Sequence, residues 1–180
     1  MVLDDSVEAF VDRLYEAWTA IGSQSVPNSS EENPFGNGSV FISYATEDRA
    51  AANHLYEEMR SIGLPVWLDI KALQAGEEWA AGIESNLRNC SIFIPLITAA
   101  SDTTDETRYF RQEWTLALKL KADSGLDILI LPVQVSPVSR DSSKIPQEFR
   151  KLHWIEAPEG NITDEGLARI NETYRKTRYL

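Results

Sequence analysis

One carboxylate stands out among the residues able to do chemistry. At about 100° per residue, Phe110, Trp114, Leu116, Ala117, Leu118 and Leu120 define one apolar arc of a helix, and Glu113 falls inside it. Its direction lies between those of Ala117 and Leu120. A carboxylate in a burying stripe is costly unless it is paired, hydrogen-bonded or required by chemistry. The structural alternative is a brace, with Glu113 bonded to a loop amide or paired with Arg108 or Arg111. Lys121 points into the same arc near the helix end, where its stem can bury while its ammonium reaches water.

The loop after Asp69 is the second feature. Gly76 permits a positive φ and a close backbone approach, and Lys71 brings a cation to the same loop. Glu77-Glu78-Trp79 then opens a helix, whose free N–H groups favour an anion. Glu77 and Glu78 can satisfy that preference themselves, so an ordinary helix start with an acidic first turn is the favoured reading over an anion cradle.

Other chemistries are excluded. No GxGxxG follows the first strand and no GxxxxGK[ST] occurs, so neither a dinucleotide fingerprint nor a P-loop is present. His54 falls mid-helix and His153 at the start of a predicted strand, positions that suit surface or packing roles. Cys90 is the single cysteine, which rules out an internal disulfide and a multi-cysteine metal site. A phospho-acceptor receiver needs clustered acids at the end of the first strand, where this chain has Ser43-Tyr44-Ala45.

The elements that must position these groups alternate. Val40–Tyr44 reads as a strand, and Thr46 or Asp48 can cap a helix through Ile62 that Gly63 ends. Pro65–Asp69 is the next strand, followed by a loop over 70–78 and a helix over 79–89. Ser91–Thr98 is a third strand, in which Pro95 suggests a bulge or an edge position. A polar loop leads into the Glu113 helix, which runs to about Ala122. Asp127–Val135 is the most apolar run and reads as a central strand, Leu152–Glu156 as a short last strand, and Asp164–Thr177 as a closing helix. Strands spaced by helical stretches make βαβ units and a parallel sheet with helices on both faces. Ligands of such sheets sit beyond the carboxyl ends of the strands, which directs attention to 43–48, 69–79 and 99–113.

The ends and the composition bound the rest. The chain has 180 residues, with five Trp, six Tyr and six Phe, enough for one domain with a real core. Val7, Phe10, Val11, Leu14, Trp18 and Ile21 line one face of a helix over 1–22, which Asp5 and Glu8 cap and Gly22 stops. Such a face must pack on the body of the protein, on a second copy, or on a larger chain of which this is a piece. Residues 23–38 are rich in Ser, Asn, Gly and Pro and read as a linker. Net charge is −11, which disfavours nucleic acid and anionic lipid as partners. No run is long enough to span a bilayer and no leader pattern opens the chain, so the expectation is a cytoplasmic protein.

Taken together, SVFISYATED, GLPVWLDIKALQAGEEW, SIFIPLIT and YFRQEWTLAL, in this order and spacing, resemble the TIR (Toll/interleukin-1 receptor) domain family, particularly its prokaryotic-type members. The resemblance runs from Ser39 to about Tyr174 and places a TIR domain at 39–180. It implies a flavodoxin-like five-stranded parallel sheet, in agreement with the unaided reading. Some members are enzymes that cleave the nicotinamide–ribose bond of NAD+, and these carry a glutamate on the helix after the third strand, where Glu113 stands.

The resemblance implies Glu113 as the catalytic residue, with Ser43, Tyr44 and Ala45 lining the substrate cleft, partly through backbone groups. It places Lys71 and Gly76 in a loop that gates the cleft and contributes to assembly. Many relatives have an aromatic residue, often Trp, four residues before the glutamate, followed by a small residue or Cys; here Tyr109 and Phe110 stand there, and Tyr109 can still stack on a base or nicotinamide ring. NAD+ enters as substrate, with no cofactor and no metal. Water attack gives ADP-ribose and internal attack a cyclic ADP-ribose isomer, and both outcomes stay open. Self-association through TIR–TIR contacts, a downstream effector or fused domain, and a role in bacterial anti-phage immunity complete the expectation. Other members are non-catalytic adaptors or virulence decoys acting through TIR–TIR contacts, the alternative function.

Overall fold

The computed structural model describes residues 38–68, 87–103, 105, 108–123 and 128–177. The expected N-terminal helix over 1–22 and the linker to residue 37 lie outside the described residues, as does most of the helix expected over 79–89. Leu87–Asn89 is helical and leads directly into a strand.

The strands are β1 (Ser39–Ser43), β2 (Val66–Leu68), β3 (Cys90–Ile97), β4 (Leu129–Ile130), β5 (Val133–Gln134) and β6 (Ile155–Glu156). The helices are α1 (Arg49–Ser61), α2 (Tyr109–Asp123), α3 (Gln147–Arg150) and α4 (Asp164–Thr177). All pairings are parallel, in the order β2-β1-β3-β5-β6, with β4 also on β3. β4 and β5 share one place in the sheet, so five strand positions are occupied among the described residues, as expected.

The period-two alternation of the strands divides the core between two faces. Val40, Ile42, Ile92, Ile94 and Leu96 pack with Ala52, Leu55 and Met59 of α1 and with Ile170 and Tyr174 of α4. Phe41, Phe93 and Ile97 pack on the other face with Phe110, Trp114, Ala117 and Leu120 of α2, and with Phe149 and Trp154. Trp114 lies edge-on to Phe110 and Phe149, with ring centroids 5.1 and 5.2 Å away. Burial of each such side chain stabilises the fold by roughly 1.5–3 kcal/mol.

Pro95 lies in central β3, between β1 and β4/β5, and not at an edge. It stands opposite Ser43 in regular register; the register shift between β1 and β3 comes earlier, near Ser39 and Val40. On the other side, the Leu131 N–H donates to the Phe93 carbonyl at 2.9 Å. The next ladder bond would run from residue 95 to the Leu131 carbonyl, and proline has no N–H to give. The single strand expected over 127–135 is therefore split into β4 and β5 at that level.

Two other expectations are corrected. The strand expected over 152–156 shortens to Ile155–Glu156, because α3 ends just before it and the Trp154 Nε1–H bonds the Phe149 carbonyl at 2.8 Å. Neither Thr46 nor Asp48 caps α1 with its side chain. A 3-10 turn over Thr46–Asp48 precedes the helix, and the Asp48 carboxylate has another partner. The closing helix runs Asp164–Thr177 as expected. Among the described residues, no helix is long and apolar enough to cross a membrane.

Candidate functional site

β1 is buried from end to end, and its alternation decides where its last residue points. Ser43 shares parity with Phe41 and so faces α2. There its hydroxyl, fully buried, donates to Oε2 of Glu113, itself only 3% exposed. The helical wheel placed Glu113 in a burying arc, and the partner that helps to meet its desolvation cost is a hydroxyl from the carboxyl edge of the sheet.

The two arginines considered as braces bond as follows. Arg108 pairs with Glu47, four residues beyond Ser43. This bond holds the Glu47 carboxyl below its ordinary range and raises the Arg108 guanidinium above its own. Arg111 is buried and donates to the carbonyls of Ser101, Thr103 and Lys144, with its guanidinium 5.0 Å from the Trp114 ring centroid. It thereby ties the loop after β3 to the segment before α3.

A third connection crosses the same edge. The Thr98 hydroxyl donates to Oδ2 of Asp48 at 2.5 Å, and the Ser101 N–H donates to that hydroxyl at 3.0 Å. The Thr98 N–H in turn reaches the Ser101 hydroxyl at 2.8 Å. Burial pushes the Asp48 carboxyl up, while the Thr98 hydroxyl pulls the other way. The segment 43–48 is thus fastened at Ser43, Glu47 and Asp48 to α2, to the residue at its start, and to the end of β3.

The candidate residues divide accordingly. Ser43 and Glu113 come together. Ala45 is buried on the α2 face with Phe110. The ring of Tyr44 packs against the opposite core, beside α1 and α4. Tyr109, half-buried, opens α2 next to Arg108. Lys71 and Gly76 lie outside the described residues. His54 and His153 are exposed, His54 beside Glu58. Lys121 is exposed, and its ammonium donates to the Ile128 carbonyl at 2.6 Å.

Glu47, Thr98 and Ser101 were not singled out from the sequence, and Asp48 and Arg111 were named there only as a helix cap and as a brace for Glu113. The pair Thr98/Ser101, three residues apart at a strand end, carries the spacing of a hydroxyl-capped turn. Nothing local marks Arg111 as buried, because its acceptors are backbone carbonyls, two in the loop just before α2 and one, of Lys144, 33 residues on.

Chemically, the site offers an oriented carboxylate at the carboxyl edge of a parallel sheet, where ligands of doubly wound folds bind. Such a group can hold hydroxyls or stabilise a neighbouring cationic centre.

Comparison with solved structures finds the same fold in several proteins. A metazoan TIR-STING receptor from C. gigas, in complex with 2',3'-cGAMP, matches with a TM-score of 0.56 at 20% identity over 83% of this chain. This chain spans 42% of that receptor's length. The TIR domain of the Toll-related receptor TRR-2 from Hydra magnipapillata matches with a TM-score of 0.52 at 17% identity, covering 77% of this chain and 97% of that one. A heterodimer of the RPS4 and RRS1 TIR domains matches with a TM-score of 0.53 at 15% identity, covering 79% and 99%. No curated protein matches the chain. The family model described as "TIR domain" matches residues 40–171, from the second residue of β1 into α4. With that match over most of its length and the sheet order just described, the chain belongs to the TIR domain family.

Proposed function

We propose that this domain cleaves the N-glycosidic bond between nicotinamide and ribose in NAD+, with Glu113 as the catalytic residue. The observation that carries the reading is the Glu113 carboxylate, buried beyond the end of β1 and held by the Ser43 hydroxyl. Nicotinamide leaves as a neutral group from a positively charged N-glycoside, so its departure calls for no general acid. The C–N electron pair goes to nicotinamide and leaves an oxocarbenium-like ribosyl centre. A fixed carboxylate stabilises that centre or holds the ribose hydroxyls. Water then adds at the anomeric carbon and releases a proton, giving ADP-ribose; attack by a group of the same molecule gives a cyclic isomer. NAD+ is the substrate, and this chemistry draws on no metal or further cofactor. Tyr109, at the start of α2, is the aromatic surface for a base or the nicotinamide ring, and Lys71 and Gly76 belong to the gating loop.

Activity on this reading depends on self-association through TIR–TIR contacts, with residues 1–38 tuning assembly, in cytoplasmic anti-phage immunity of a bacterial cell. The solved heterodimer of two TIR domains supports the principle that this fold pairs with itself. Tyr109, where relatives often carry Trp among the aromatics at that place, lends slight support to the second reading, an adaptor or decoy that acts by TIR–TIR binding alone.

The test is a chromatographic time course of NAD+ with concentrated protein beside Glu113→Ala and Glu113→Gln. Nicotinamide release by the wild type, absent in both variants, is the expected result. Intact NAD+ at high protein concentration overturns the enzyme reading in favour of the adaptor.

A further inference from the structure

Glu47 and Arg108 belong to the same two segments as Ser43 and Glu113, and their ion pair faces solvent. The Arg108 side chain is 25% exposed and that of Glu47 54%. Arg108 precedes Glu113 by five residues, and its carbonyl accepts the N–H groups of Arg111 and Gln112, so it stands at the start of α2. Five residues place it about 7.5 Å along the helix axis and about 140° around it from Glu113, and the two side chains nevertheless both reach the end of β1, at Glu47 and at Ser43. The pair is therefore the outer rung, and Ser43–Glu113 the inner rung, between the end of β1 and α2.

That spacing matches a substrate dimension. In a nicotinamide dinucleotide, the anomeric carbon and the nearest phosphorus are joined through five single bonds, on the order of 6 Å at ordinary bond lengths. With the anomeric carbon at Glu113, the diphosphate reaches the level of Arg108. We propose that Arg108 is an anion subsite for the diphosphate of the dinucleotide, released to it by Glu47. The inference rests on the NAD+ reading of the Glu113 site.

The charges around Arg108 define what can take it. Glu47 bonds it directly, and Asp48 and Asp105 act on it through space. A monovalent anion gains little against three carboxylates. A diphosphate carries two charges and several oxygens and meets the planar guanidinium in two parallel hydrogen bonds. An exposed ion pair contributes little to folding, so exchanging Glu47 for the substrate leaves the fold intact. The Phe110 ring, its centroid 5.3 Å from the guanidinium carbon, limits where that group can move.

The test compares NAD+ with nicotinamide riboside, which has the same N-glycosidic bond and no phosphate. In Arg108→Gln, the ratio of kcat/KM for NAD+ to that for the riboside falls about tenfold or more, through KM for NAD+. Glu47→Gln, which frees the guanidinium, lowers KM for NAD+. The double variant Glu47→Arg/Arg108→Glu leaves the ratio low, because it puts a carboxylate at position 108.

An unchanged ratio in Arg108→Gln, or its recovery in the swapped pair, overturns the subsite and makes the pair a clasp between the two segments. Failure of wild type to cleave NAD+ overturns the enzyme reading instead. Calorimetry with ADP-ribose then decides the subsite alone: weaker binding by Arg108→Gln sustains it, and equal or no binding ends it.

Discussion

Ser43 and Glu113, 70 residues apart in the chain, share a buried hydrogen bond at the carboxyl edge of the sheet. Ser43→Ala removes a donor from a buried carboxylate and leaves Oε2 without it. Loss of a hydrogen bond to a charged group costs roughly 1.5–3 kcal/mol, so NAD+ cleavage should fall at least tenfold, mainly in kcat. Ser43→Thr, which keeps the hydroxyl, should recover part of the loss. Equal activity of Ser43→Ala and wild type would remove Ser43 from the site.

Arg111 bridges three carbonyls with one rigid fork. A lysine carries a single nitrogen and cannot span both loops. Arg111→Lys should therefore destabilise the protein by about 2–4 kcal/mol, read as a lower urea midpoint. Hydrogen exchange should quicken in 98–103 before it does in β1 and β3. Uniform exchange across the chain would refute the bridge.

Burial raises the Asp48 carboxyl above its ordinary range. The folded state then binds this proton more tightly than the unfolded chain, so the contribution of Asp48 to stability falls as pH rises from the ordinary carboxylate value through the raised one. Asp48→Asn, which can still accept from Thr98, should flatten that part of the stability–pH curve. It should be no less stable than wild type at pH 7. Denaturant midpoints measured from pH 4 to 8 decide it, and a steeper curve in the variant would contradict the assignment.

Gly160 has φ +86°, and a Cβ built there would meet the Ala51 carbonyl oxygen at 2.3 Å. Gly63 has φ +82° with nothing within 4 Å. Both positions strain an L-residue by about 1–2 kcal/mol, but only Gly160→Ala must also push α1 from the loop it packs on. Its melting temperature should drop clearly further than that of Gly63→Ala. Equal drops would show that the loop yields freely.

Cys90 is buried, and desolvation pushes its thiol up to about 12. At pH 7.5, iodoacetamide should leave the native protein unmodified over hours and label it rapidly in denaturant. Rapid native labelling would mean that the start of β3 opens readily.

Glu113 was legible because it breaks a local pattern: a helical period of apolar residues with one acid inside it needs only 3.6-fold geometry to be seen. The strands were legible for the same reason, since Val40–Ile42 and Ile92–Ile97 are apolar runs bounded by turn signals. Pro95 misled because its cost depends on which neighbour its missing N–H would have faced. In β3 that side meets the Leu131–Pro132 break, and the strand keeps its central place.

The order of strands and helices, the burying arc of α2 and the TIR motifs follow from the sequence by itself, because each rests on residues close together in the chain. Which groups meet was decided only in the tertiary structure. Ser43 reaches Glu113 because the parity of β1 turns it toward α2. Arg108 turns to Glu47, Arg111 to three carbonyls, and Asp48 leaves its helix cap for Thr98. The side-chain pairs join partners brought near one another by the sheet order, and backbone carbonyls carry no side-chain signature by which a sequence could announce them.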